Sequence, residues 1–169
     1  TRNARIVLID DNGVRAAMTA SWLVQMGWKN AVVLEGGLTG GSLEAGPHSS
    51  EIAGLASVNV DEVSVVELEK HLSDGGATVI DVGRSLDFRH GHIPGAWFAV
   101  RSRLEKGLNE TPIKGRLVVT SGDGVVARLA AAEAAKLVST PVSCLIGGTD
   151  AWSAAGLPLA EGEENMADA

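Results

Sequence analysis

Two glycine-bearing turns hold the residues of this chain best suited to chemistry. The first runs Asp10-Asp11-Asn12-Gly13-Val14-Arg15 and the second Ser121-Gly122-Asp123-Gly124-Val125. A turn that follows a strand and opens a helix gathers backbone N–H groups at one spot. The helix dipole adds partial positive charge there, so such a turn is a cradle for an anion. Glycine lets the backbone curl without a Cβ clash. The candidate anion-loop residues are therefore Ser121, Gly122, Asp123, Gly124 and Val125 in one turn, and Asp10, Gly13 and Arg15 in the other. What the cradle can do depends on the side chain that opens it. A hydroxyl nucleophile at Ser121 would need a positioned base and an orienting acid. No histidine stands in its loop, so Ser121 reads as a helix-capping serine beside a site made of backbone amides. Asp10 and Asp11 are adjacent acids without the spacing of a metal site, and read as N-cap and turn residues.

The other reactive side chains are few. Cys144 is the one cysteine, and it lies inside an apolar run where a free thiol behaves as a small buried hydrophobe. His90 and His92 have no evident third ligand, so no metal is expected. No cofactor is called for. Trp22, Trp28 and Trp97 are expected in the core or at a domain interface.

The totals narrow the classes. The chain has 169 residues, 14 Lys plus Arg against 21 Asp plus Glu, and a net charge of -7. That balance argues against nucleic acid, which needs a basic face, and against an anionic membrane surface. No apolar run reaches the length of a bilayer span, and no secretory n-region and h-region opens the sequence. A single cysteine permits no intrachain disulfide and suits a reducing cytoplasm. The chain opens on Thr1 and soon enters Ile6-Val7-Leu8-Ile9, which reads as a piece of a longer protein.

The elements that must position the turns are written twice. Gly13 pairs with Gly124, 111 residues on; Ala16, Ala20, Leu34, Gly36 and Gly37 pair with Ala127, Ala131, Leu145, Gly147 and Gly148; Ser42 and Pro47 pair with Ser153 and Pro158. A period this long is a duplicated domain. Residues 1–47 then form the C-terminal part of a first unit, 48–59 a linker and 60–160 a complete second unit. Residues 161–169 form an acidic tail expected to be mobile. The partial unit, lacking much of its sheet, is expected to pack on the second unit or on residues outside this sequence.

Ser64-Val65-Val66-Glu67 has the form of a capping box, which predicts a helix through about Leu72. The second unit continues with strands over 78–82, 96–100, 117–120 and 141–146, and helices over 86–90, 125–137 and 150–155. The first unit gives strand 5–9, helix 14–26 and strand 31–34. Strands alternating with helices predict an α/β fold, an open parallel sheet flanked by helices on both faces.

The surrounding residues make the pattern specific. Val79-Ile80-Asp81-Val82, Asp87-Phe88 and Gly91-His92-Ile93-Pro94-Gly95-Ala96 resemble the N-terminal signature of the rhodanese family. Leu145-Ile146-Gly147-Gly148-Thr149-Asp150-Ala151-Trp152 and Gly156-Leu157-Pro158 resemble its C-terminal signature, and Leu34-Glu35-Gly36-Gly37 with Pro47 repeat that signature, Gly41 replacing the tryptophan. The resemblance implies a rhodanese-like fold and a protein of thiosulfate sulfurtransferase type. Such enzymes move a sulfane sulfur from a donor such as thiosulfate to a thiophilic acceptor, through a cysteine persulfide held in the loop. The family's pattern is Cys, two residues, Gly, one residue, Arg. It falls on Ser121 through Val126 and on Asp10 through Arg15, so neither cysteine seat holds a cysteine and only Arg15 keeps the arginine. Gly83 stands where the first signature usually has Arg. The resemblance therefore implies that this piece is inactive and supports an active unit elsewhere in a tandem parent chain, packing against other rhodanese units. The alternative is a non-catalytic anion- or partner-binding scaffold. His92 is implied to hold its turn by hydrogen bonds.

Overall fold

A computed structural model describes residues 4–39, 41–46 and 51–167. Pro47, the linker residues 48–50 and the last tail residues 168–169 lie outside them. The chain divides into two compact units, Thr1–Ser50 and Glu51–Ala169.

The first unit is one strand–helix–strand turn: β1 (Ile6–Leu8), α1 (Val14–Gln25) and β2 (Ala31–Val33). The strands pair in parallel, Ile6 beside Ala31 and Leu8 beside Val33. Ala16 is the buried residue of α1, whereas Met18 and Met26 are exposed and Trp22, expected in the core or at a domain interface, is 66% exposed.

The second unit is the predicted α/β layer structure. Its elements are β3 (Asp61–Val63), α2 (Val65–Ser73), β4 (Ala77–Asp81), α3 (Ser85–His90), β5 (Trp97–Phe98), α4 (Leu104–Glu110), β6 (Arg116–Thr120), α5 (Val125–Ala134), β7 (Val142–Leu145) and α6 (Gly148–Ala154). The sheet order is β3-β7-β6-β4-β5, and every neighbouring pair is parallel. Both faces are covered because successive residues of β6 point opposite ways. Leu117 and Val119 pack with Leu104 and Leu108 of α4 and Ala127, Ala130, Ala131 and Ala134 of α5. Val118 packs with Leu68 of α2, Phe88 of α3 and Trp152 of α6. Four alanines along α5 bring its axis close to the sheet, which sets where its N-terminus ends.

The capping box forms as expected. The Glu67 amide donates to Ser64 Oγ at 3.3 Å, and the Ser64 amide donates to the Glu67 carboxylate at 2.9 Å. That bond first, with the Ser64 hydroxyl, holds the Glu67 carboxyl below the usual carboxylate range.

Three expectations shift. β3 and α4 were not foreseen, since Asp61 and Glu62 disguise a strand and Gly107 weakens a helix signal. The strand expected over 96–100 shrinks to Trp97–Phe98. The tail expected to be mobile is tied down as far as residue 167. Ala160 and His92 exchange two backbone bonds of 2.9 and 2.8 Å. The Phe98 amide donates to Asn165 O at 2.9 Å, and the Ala167 amide to Phe98 O at 3.1 Å.

Candidate functional site

The Ser121 loop joins β6 to α5 at the carboxyl end of the central strand, where open parallel sheets place ligands. Its shape is enforced from beneath by the turn that opens α6. The Thr149 amide donates to Ser121 O at 3.0 Å, and the Asp150 amide donates to Gly122 O at 2.9 Å. Gly148, at φ +63°, passes so close that an added Cβ would lie 1.9 Å from Ser121 O and 2.4 Å from Gly122 O. The Leu145–Trp152 signature is thus the floor of the Ser121 loop, a function its sequence position does not reveal. Gly124, at φ +81°, closes the turn with its amide on Ser121 O at 3.1 Å.

Part of the amide cradle is already taken by the loop's own side chains. Ser121 is 2% exposed, and its Oγ accepts from the Ala127 amide at 3.1 Å. Asp123 Oδ1 accepts from the Val125 amide at 3.0 Å. Among the described residues, no partner receives the amides of Gly122, Asp123 and Val126. Val126 is an exposed apolar side chain.

The Asp10 loop repeats several of these bonds, with a different side chain in the cradle. Asn12 Oδ1 accepts from the Val14 amide at 3.1 Å, as Asp123 does for Val125. The Leu38 amide donates to Asp10 O at 3.4 Å, as Thr149 does to Ser121 O. An added Cβ on Gly37 would lie 2.0 Å from Asp10 O, the counterpart of Gly148. The change is the carboxylate. Asp10 is 8% exposed; its Oδ1 accepts from the Gly13 amide at 2.5 Å, and its Oδ2 accepts from the Arg15 and Ala16 amides at 2.9 and 3.1 Å. The side chain is itself the anion in the cradle. Arg15 turns to Asp11, with Nη2 2.5 Å from Oδ1, and holds the Asp11 carboxyl below its ordinary range.

Carboxylates also gather beside the Ser121 loop. A small cavity of about 70 Å3 is lined by Asp81, Asp87 and Asp150 together with Gly83, Gly122 and Thr149. Asp81 is 5% exposed; it accepts from the Gly83 amide at 2.7 Å and from the Thr149 hydroxyl at 3.3 Å. Burial pushes its carboxyl above the usual range, against those hydrogen bonds. Thr149 and Thr120 hydroxyls meet at 3.1 Å behind it. Sequence reasoning missed this network; its one signal was an acid ending an otherwise apolar strand. Arg84, the cation of this cavity, lies 3.8 Å from Asp87. The local charge repels anions.

Cys144 is 3% exposed in the core beside Val119, not in either loop. Burial first, then the nearby Glu62, pushes its thiol up. His92 Nδ1–H donates to Phe88 O at 2.7 Å, and its ring stacks on Phe88 with centroids 3.9 Å apart. His90 is exposed, and among the described residues no cluster of three or more His, Cys, Asp or Glu could hold a metal. Trp152 Nε1 donates to Pro158 O at 2.9 Å, which joins the two halves of the second signature.

The loop, its glycine floor and the His92 turn coincide with a family match. The rhodanese-like domain model matches residues 64–155. The chain belongs to the rhodanese-like family. A thiosulfate sulfurtransferase from Pseudomonas aeruginosa is 39% identical over 97% of this chain, with a TM-score of 0.79. The chain spans 31% of that protein's length. A 3-mercaptopyruvate sulfotransferase from Escherichia coli shares the fold at 21% identity and a TM-score of 0.55, over 64% of this chain and 54% of its own. A possible tyrosine phosphatase from Rhodopseudomonas palustris shares it at 22% identity and a TM-score of 0.56, over 69% of this chain and 100% of its own. No curated protein matches the chain. Among the described residues no helix is long and apolar enough to cross a membrane.

The side chains that open the two loops are Ser121 and Asp10. A persulfide requires a polarisable thiolate. A serine hydroxyl remains protonated without a base, and a carboxylate forms no S–S bond.

Proposed function

We propose that this chain supplies two non-catalytic rhodanese-like units to a cytoplasmic protein of thiosulfate sulfurtransferase type. In that protein sulfur would be carried by a unit outside this sequence, against which these units pack. The observation that carries the reading is Asp10, whose carboxylate accepts three amides of the cradle that would otherwise face a substrate anion. Two further facts support it: Ser121 holds the second seat, and the chain is 39% identical to about a third of a thiosulfate sulfurtransferase.

In the reaction such a parent would perform, a cysteine thiolate attacks the outer sulfur of thiosulfate. The S–S bond breaks and sulfite leaves with the electron pair. The persulfide's outer sulfur then passes to cyanide as thiocyanate, which restores the thiolate. Neither loop here offers the thiolate. The purified 169-residue chain, given thiosulfate and cyanide, should form thiocyanate no faster than a no-enzyme blank. Turnover above the blank, abolished by Cys144→Ser or Ser121→Ala, would sink the reading.

A second reading is favoured by the three unclaimed amides of Gly122, Asp123 and Val126: a scaffold that recognises an anion or a partner without covalent chemistry. Titration with sulfate should then shift the amide resonances of residues 121–125. Their indifference would count against that reading, in line with the carboxylates around the loop.

A further inference from the structure

A second cleft, of about 540 Å3, opens past the carboxyl ends of β4 and β5. Gly83 borders both this cleft and the small cavity beside the Ser121 loop, but the two have opposite character. The cavity is lined by three carboxylates. The cleft is lined by three guanidiniums, those of Arg89, Arg101 and Arg103, and by the hydroxyl-bearing Ser85 and Ser102. No acidic residue is among its described lining residues. In a chain of net charge -7 such a concentration of cations runs against the composition. Its remaining wall is apolar, made by Val82, Phe98, Val100 and Met166.

Two of the cations are held in place by groups outside the lining. Arg101 donates through Nε and Nη2 to Glu133 at 3.1 and 2.6 Å, a two-pronged bond that fixes the plane of its guanidinium. Three of its five N–H donors remain beyond those two bonds. That pairing raises the Arg101 pKa and lowers that of Glu133, so both stay charged. Arg89 Nε lies 3.2 Å from Glu163 on the C-terminal segment. An exposed pair of this kind contributes little, so a ligand with more than one negative charge competes for Arg89. The same C-terminal segment brings Met166 to the apolar wall, fastened to Phe98 by backbone bonds. Open α/β sheets bind ligands on this side.

The geometry points to this cleft as a binding site for a small organic oxyanion, its charged head on Arg89, Arg101 and Arg103 and its apolar body against Phe98, Val100 and Met166. An inorganic anion satisfies the cations but leaves the apolar wall wet. The ligand therefore carries a hydrophobic portion of a few carbons as well as its phosphate, sulfonate or carboxylate.

The test is an NMR titration of the full chain with phenyl phosphate, with inorganic phosphate as the comparison. Phenyl phosphate should shift the amides of Ser85, Ser102 and Arg103 saturably, and bind more tightly than inorganic phosphate. Loss of two charge-assisted contacts in the double variant R89Q/R103Q should weaken binding by about tenfold or more. E163Q, which frees Arg89, should tighten it. Circular dichroism of each variant should match the parent, since these side chains are at the surface. The proposal is overturned if the double variant binds phenyl phosphate like the parent. It is overturned equally if the shifts map to residues 122–126, if inorganic phosphate binds as well as phenyl phosphate, or if nothing saturates.

Discussion

The Asp10 and Ser121 loops are one backbone turn written twice and finished differently. Both rest on a left-handed glycine, Gly37 under one and Gly148 under the other, and in both a side chain two residues before the helix caps its first amide. They differ in the residue that opens the turn. Asp10 turns inward and takes three amides; Ser121 takes one and leaves neighbouring N–H groups unclaimed. The cradle is therefore a property of the backbone and its glycine floor, and forms with either side chain at the residue that opens the turn. Whether it can meet an outside anion is decided by one residue.

The sharpest way to break this comparison is through the floor. In Gly148→Ala the new Cβ would meet Ser121 O at 1.9 Å, in a left-handed conformation that L residues avoid. The second unit should lose about 3 kcal/mol or more, read as a lower urea midpoint. Gly37→Ala should disturb the Asp10 loop in the same way. An unchanged midpoint in Gly148→Ala would mean that the floor does not shape the loop.

Next come the seats themselves. Asp10→Ala leaves three amides without an acceptor and should cost its loop about 2–3 kcal/mol, while Ser121→Ala removes one bond and should cost about 1 kcal/mol. Hydrogen exchange should accelerate at Gly13, Arg15 and Ala16 in the first variant and at Ala127 in the second. Equal effects would erase the distinction between the loops.

Asp81 gives a smaller effect with a definite sign. Burial raises its folded-state pKa, so between the unfolded and folded values the folded state binds more protons and stability falls as pH rises. Asp81→Asn should therefore raise the melting temperature at pH 7. That gain should vanish below the unfolded value of about 4, where the parent's Asp81 is itself neutral. A gain that persists at pH 3 would assign it to something other than charge burial. The smallest effect belongs to Arg15→Gln. Arg15 pairs with Asp11 at the surface, so a barely resolvable drop in the urea midpoint is expected, and none in high salt.

Much of this arrangement was legible beforehand, and the reasons differ by element. Ser64 and Glu67 carry a local code, and their helix formed where the code put it. The glycine and alanine pairs at an offset of 111 residues announced the repeated turn. Strand β3 was hidden because Asp61 and Glu62 obscure its one buried residue, Val63. The acidic tail read as solvated because it is fastened chiefly by backbone bonds to Phe98 and Arg89, which no side-chain pattern encodes. The arginine cleft was hidden for another reason: Arg89 lies in α3 and Arg101 and Arg103 in a turn after β5, and only the fold brings them together.

The docking of Asn165 and Ala167 on Phe98 has a consequence for how the molecule behaves in a crowd. β5 is a border strand, and a bare border offers N–H and C=O groups to any passing polypeptide. Here the chain's own residues 165–167 occupy that border through two backbone bonds to Phe98. That rim of the sheet is thus closed to foreign strands by a self-supplied backbone.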